Sequence, residues 1–234
     1  MEKREQLYEG KAKKVYKTDD PGLVIVSYKD DATAFNGQKK GQIAGKGVVN
    51  NTMSNIIFQM LEQRGVPTHY VQQLNERETL VKAVKILPLE VIIRNVAAGS
   101  FSKRYGVEEG RPLARTVLEF SYKNDELGDP LINDDHILAL ELATEEQLRQ
   151  VKDYAYAVNE GLKGFFLERG LKLVDFKIEF GLWDGKVILA DEISPDTCRL
   201  WDVNTNEKMD KDRFRRDLGK VEETYQEVFQ RVQS

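Results

Sequence analysis

The sequence predicts an α+β fold built on antiparallel sheet, and three observations carry that prediction. Strand-like and helix-like segments follow in the order strands, helix, strands, helix, hairpin, helices, not in the regular alternation of a doubly wound parallel sheet. Residues 174–180 alternate between apolar and charged side chains and lead through Asp184-Gly185 into the apolar run Val187–Ala190, a hairpin signature. A long amphipathic helix, Glu145–Arg169, opens on the capping box of Thr144 and Gln147 and stops at Gly170.

Taken in order, Leu7–Glu9 and Lys14–Lys17 read as short strands around the turn Gly10-Lys11-Ala12-Lys13, and Leu23–Tyr28 follows Pro21-Gly22. Lys29–Gly47 is polar and glycine-bearing, and reads as a long functional loop. A helix from about Val48 to Arg64 carries Ile56, Ile57, Met60 and Leu61 on one face and ends before Gly65 and Pro67. His69–Gln73, Thr79–Lys85 and Leu89–Asn95 are strand-like, and Pro88 marks a boundary that divides the chain into residues 1–86 and 87–234. Val117–Tyr122 is a further strand. Beyond the long helix come Leu171–Gly181 and Val187–Glu192, then helices at about Asp210–Leu218 and Val221–Val232.

The chain has 234 residues, enough for one large domain or two small lobes sharing a cleft. A net charge of −4 supplies no global field for nucleic acid or an anionic membrane. No stretch approaches the ~20 apolar residues of a membrane span. The charged N-terminus lacks a signal peptide's apolar region, so the cytoplasm is the expected compartment. A single cysteine, Cys198, excludes an intramolecular disulfide and a cysteine-based zinc site. His69 and His136 have no metal-ligand spacing.

Charge concentrates on the hairpin. Asp175, Lys177 and Glu179 share one strand face. They form either a solvated sheet surface or, because the return strand is apolar on both faces and ends in Asp191, a hard-cation site built from Glu179 and Asp191. Lys177 beside them suits a phosphate or carboxylate. The turn Ser194-Pro195-Asp196-Thr197 then delivers Arg199, whose planar fork can grip an oxyanion. Arg94, at the end of an apolar strand beside Ala97-Ala98-Gly99-Ser100, reads as an anion grip or a structural ion pair. A two-residue turn at Asp184-Gly185 would put Asp191 on the face opposite Glu179. The metal assignment therefore predicts an odd-length or bulged turn.

These segments together resemble the SAICAR synthase family of purine biosynthesis, over essentially the whole chain. The resemblance rests on Tyr8-Glu9-Gly10-Lys11-Ala12-Lys13, Thr33-Ala34-Phe35-Asn36, Glu90–Asn95 with Ala97–Ser100, Asp175–Gly181, and Asp191–Asp202. It implies a two-lobed fold, with an N-terminal β lobe like a protein-kinase small lobe and ATP held between the lobes. The implied reaction joins CAIR, a carboxylated aminoimidazole ribonucleotide, to L-aspartate, giving SAICAR, ADP and phosphate through an acyl phosphate. The implied roles put Lys11, Ala12 and Lys13 on the ATP phosphates, Val15 and Val24 against the adenine, and the backbone near Ile86 at its edge. Glu179 and Asp191 would carry Mg²⁺. Arg94, Ser100, Asp175, Lys177, Asp196 and Arg199 would hold the nucleotide substrate, with Lys13, Lys177 and Arg199 at the reaction itself. The family often has Ser and Asp where this chain has Thr33 and Asn36. A homodimer is implied in the same way. A kinase would need His-Arg-Asp and Asp-Phe-Gly signatures, and both are missing.

Overall fold

A computed structural model describes residues 1–34 and 37–234. Five strands, β1 (Gln6–Glu9), β2 (Lys13–Lys17), β3 (Leu23–Tyr28), β6 (Tyr70–Gln73) and β7 (Glu78–Lys82), form an antiparallel sheet in the order β1-β2-β3-β7-β6. The described residues of 29–47, read from the sequence as a long functional loop, include regular structure. They contain β4 (Asp31–Ala34) and β5 (Lys39–Gln42), a small hairpin sheet in which Ala32 and Ala34 supply the buried face.

The larger sheet runs β11 (Leu131–Ile132), β10 (Pro112–Tyr122), β9 (Leu89–Val96), β12 (Leu171–Trp183), β13 (Lys186–Ala190), with β8 (Lys85–Ile86) and β14 (Cys198–Asp202) also paired to β12. The predicted strand 79–85 is therefore two strands in two sheets. The chain bends between them, where Ala83 N donates to Gly22 O at 2.8 Å. Val84 then packs on β12 at Gly181, where a Cβ would lie 2.8 Å from Val84 Cβ, so only glycine fits.

Helix α1 (Lys46–Gln63) buries Met53, Ile57, Phe58 and Leu61 in the same core as α4 (Glu145–Leu167) and the inner faces of β9 and β12. Ile56 and Met60, expected on its apolar face, are only partly buried. Helix α4 has the predicted start: Gln147 N donates to Thr144 Oγ1 at 3.2 Å, and Thr144 N donates to Gln147 Oε1 at 2.9 Å. Such a cap contributes about 1 kcal/mol.

Three short elements differ from the sequence reading. Residues 99–105 form α2 (Gly99–Tyr105), and α3 (Asp134–Ala139) is capped by Asn133. The expected helix at 210–218 narrows to α5 (Asp212–Arg215), while α6 (Val221–Gln233) forms as expected and seals the core with Val228 and Val232. No described helix is long and apolar enough to cross a membrane.

Candidate active site

Strand β12 is the ruler along which the site is laid out. On one edge it pairs first with β9 (Asp175↔Arg94, Lys177↔Ile92) and then with β8 (Gly181↔Ile86). On the other edge it pairs with β14 up to Phe176↔Cys198 and with β13 from Glu179↔Ala190. Between β13 and β14 the strand paired with β12 is interrupted as residues 191–197 leave the sheet, and Lys177 N donates to Thr197 O at 2.9 Å across that opening. Alternate residues of a strand stand about 7 Å apart, so Asp175, Lys177, Glu179 and Gly181 mark out roughly 20 Å from Arg94 to Ile86.

One cleft of about 1150 Å³ follows this line, and every residue carried over from the family resemblance lines it. Its apolar end is walled by Val15, Val24, Val26, Val81 and Ile86. Its far end holds Arg94, Ser100, Asp175, Asp196, Arg199, Lys211 and Arg215. Thr33 and Ala34 line it too. Asn36 lies outside the described residues.

The hairpin turn corrects one expectation. Trp183 pairs with Lys186, leaving a two-residue turn of Asp184 (φ 49°) and Gly185 (φ 73°), both left-handed, and no bulge shifts the ladder. Glu179 and Asp191 are nevertheless brought together. Asp191 leaves the strand with a left-handed φ of 62°, which turns its carboxylate out of the register the ladder would impose. Its Oδ1 accepts from Lys13 Nζ at 2.5 Å, and Lys13 also lies 3.3 Å from Glu192 Oε1.

Burial alone would raise the Asp191 carboxyl, but the charge and hydrogen bond of Lys13 outweigh it and hold it down at about 2. Glu179 moves the other way. Burial and then the Asp191 charge push it up, against the opposing pull of Lys123, which donates to Glu179 Oε2 at 2.5 Å. This crowding of carboxylates suits a hard cation. Glu179 is held partly against its charge, and a divalent ion would remove the conflict. Among the described residues no group of three or more His, Cys, Asp or Glu side chains is placed to hold an ion. Mg²⁺ needs only one or two carboxylates, since water and phosphate complete its shell.

Lys177 donates to Glu90 Oε1 at 2.5 Å, and that charge raises its ammonium despite burial. Lys11 is exposed and reaches Asp125 at 3.3 Å. Arg94 is both an ion-pair partner and a wall of the cleft: Nε donates to Glu119, Nη1 to Asp175 and Nη2 to Ser100 Oγ. Arg199 bridges Asp212 and Asp175. Asp196 accepts from Lys46 at 3.0 Å, Lys211 at 3.2 Å and the Tyr225 hydroxyl at 2.5 Å, and the two lysines keep it ionised in spite of burial.

The sequence model of the SAICAR synthetase family matches residues 6–232. The chain belongs to that family. A phosphoribosylaminoimidazole-succinocarboxamide synthase of Lachnoclostridium phytofermentans is 64% identical over 232 residues, covering 99% of each chain. The crystal structure of the synthase from Ehrlichia chaffeensis has a TM-score of 0.96 at 46% identity, covering 98% of each chain. A SAICAR synthetase in complex with ADP has a TM-score of 0.94 at 45% identity, covering 97% of each. Membership places this chain at the ATP-dependent ligation step of purine biosynthesis.

Sequence reasoning missed the partners that tune this SAICAR synthetase site: Glu90, Lys123, Glu192, Lys46, Lys211 and Arg215. Lys123 carried a readable signal, a cation directly after an apolar strand, as Arg94 had. Cys198 and His69, given no role from the sequence, both line the cleft and are buried. Burial drives the Cys198 thiol far up, and burial pushes His69 down to about 3, packed edge-on against Phe58.

Proposed function

We propose that the chain joins the carboxylate of CAIR to the amine of L-aspartate, with ATP phosphorylating the carboxylate first. The observation that carries this reading is the order of groups along β12: an apolar slot, a pair of carboxylates, a lysine, then an arginine-rich end, all in one cleft. A nucleotide base fits against Val15 and Val24 with Ile86 at its edge, and its phosphates then extend toward Lys11, Ala12 and Lys13. Glu179 and Asp191 would hold Mg²⁺, which, when bound, neutralises charge on the phosphates. The ADP complex of the related synthetase supports ATP as co-substrate.

In the proposed sequence the CAIR carboxylate oxygen attacks the γ-phosphorus and ADP departs. The aspartate amine then attacks the acyl carbon, the C–N bond forms, phosphate leaves with the carboxylate oxygen, and the amine loses a proton. A bare carboxylate would have to expel oxide, which is why activation is needed. Lys177 faces the carboxylate that reacts, while Arg94, Ser100, Asp175, Asp196 and Arg199 hold the nucleotide substrate. Alignment and charge neutralisation supply most of the acceleration in such a transfer.

We read residues 1–86 and 87–234 as the two lobes that meet at the cleft, although α1 belongs to the core of the second. A cytoplasmic homodimer completes the reading. The test is ADP release that requires both CAIR and aspartate, with SAICAR identified by mass. ADP release with CAIR alone, and no amide product, would return the chain to a kinase-like reading. Glu179→Gln should abolish turnover, and Mg²⁺ titration in the presence of ADP should show weakened binding in the folded variant.

A further inference from the structure

Lys13 faces two adjacent carboxylates, and the fold holds them differently. Its Nζ lies 2.5 Å from Asp191 Oδ1 and 3.3 Å from Glu192 Oε1, with the centre of the Tyr28 ring 5.4 Å away. The Asp191 side chain is 26% exposed, whereas that of Glu192 is 5% exposed. Asp191 is the acid on the open side. Among the described residues, Lys13 is the only side chain that hydrogen-bonds its carboxylate.

Glu192 is tethered from behind. Ser194 Oγ donates to Glu192 Oε2 at 3.0 Å and accepts from Asp196 N at 3.1 Å. Ile193, between the two, is clamped to α1. Its N donates to Ser54 Oγ at 3.2 Å, and Ser54 Oγ donates to its carbonyl at 3.1 Å. Glu192 thus presents Oε1 to Lys13 from a fixed frame, and a carboxylate buried this deeply needs a paired cation.

The two acids also differ in what else claims them. Asp191 is assigned with Glu179 to the divalent ion, and a cation on that carboxylate competes with the Lys13 ammonium for the same charge. Glu192 gives one oxygen to Ser194 and the other to Lys13. An ammonium has three donors, so Lys13 can hold Glu192 and still reach a phosphate.

We propose that Glu192 is a positioning residue for Lys13, keeping the ammonium directed at the nucleotide phosphates while Asp191 is engaged by the divalent ion. This rests on the ligase reading above and deepens its ATP site.

The test is calorimetric titration of ADP into the full chain, wild type and Glu192→Gln, each with Mg²⁺ and with EDTA. Glutamine keeps the shape and removes the charge. In EDTA the two proteins should bind ADP within about twofold of each other, because Asp191 still holds Lys13. With Mg²⁺ the variant should bind about tenfold or more weakly, the loss of one charged hydrogen bond. In a Lys13→Met background, adding Glu192→Gln should change Mg²⁺–ADP affinity by less than about twofold, since a residue acting through Lys13 has nothing left to position. The KM for CAIR should stay within about twofold in Glu192→Gln.

Equal Mg²⁺–ADP affinity in wild type and Glu192→Gln overturns the proposal. So does an equal loss with and without the ion, which would mark a general structural role, or a further loss in the Lys13→Met background. If Glu192→Gln does not fold, Ser194→Ala, which releases the tether on Oε2, decides by the same dependence on Mg²⁺. Wild-type protein that binds Mg²⁺–ADP but makes no SAICAR would sink the ligase reading, and the ADP titrations would still decide the role of Glu192.

Discussion

Lys13 Nζ lies 2.5 Å from Asp191 Oδ1, and the contact exists because Asp191 holds a left-handed backbone with φ 62°. The pair ties the first hairpin to the loop that interrupts the larger sheet. It also joins the residue proposed for ATP phosphate to one proposed for the ion, so nucleotide and metal would meet at a single preformed contact.

Asp191→Asn separates charge from backbone. Asparagine tolerates the left-handed region, so the protein should fold, while the lost charge should abolish turnover. Asp191→Ala should lose turnover and also pay about 1–2 kcal/mol of backbone strain. Urea denaturation beside activity assays checks both. Equal stability of the two variants would show that the left-handed geometry imposes no cost.

The Asp184-Gly185 turn supplies a control remote from the cleft. Gly185 has φ 73°, so Gly185→Ala should lower stability by about 1 kcal/mol and leave the kinetics unchanged. A variant with normal stability and impaired turnover would contradict this division between turn and site.

How far the sequence could be read follows from whether its signals are local. The Thr144–Gln147 box, the Asp184-Gly185 turn and the alternation of Asp175, Lys177 and Glu179 are local patterns, and each appears in the structure. The left-handed Asp191 is not local. The sequence pattern of a hairpin assumes that the strand continues, and the chain departs from it to reach Lys13. Residues 198–202 were hidden because the polar turn before them masks the buried Leu200 and Trp201. Glu90, Lys46 and Lys123 acquire their roles from partners distant in sequence, such as Lys46 with Asp196 and Lys123 with Glu179, which no periodicity announces.

Asp202 gives a pH-dependent expectation. Backbone N–H groups of Thr205 and Asn204 donate to it, Arg231 adds its charge, and together they hold its carboxyl down at about 2, below the ordinary 3.8. A depressed carboxyl contributes stability above pH 3.8, and that stability is lost as the pH falls toward 2. Asp202→Asn should therefore cost about 1 kcal/mol at pH 7, allowing for solvent screening of the half-buried Arg231. Melting curves of the two proteins should converge on acidification. A gap that persists at the acid end would assign the loss to packing instead of charge.

Arg199 was expected from the sequence to be a substrate grip alone, and the structure gives it a second task. Its Nε donates to Asp212 at 2.8 Å and its Nη1 to both oxygens of Asp175, so one side chain ties α5 and β12 to β14. Lysine keeps the charge but cannot span both acids with a planar fork. Arg199→Lys should therefore destabilise the protein by about 1–3 kcal/mol, because Asp175 or Asp212 loses a charged hydrogen bond while buried. For a chain of this size that corresponds to a fall of roughly 2–12 °C in Tm. CAIR binding should weaken in the same variant, with ATP affinity little changed, because Arg199 stands at the far end of β12 from Val15, Val24 and Ile86. Thermal melts and separate substrate titrations read the two effects independently. A normal Tm would refute the structural role, and normal CAIR affinity would refute the contact with substrate.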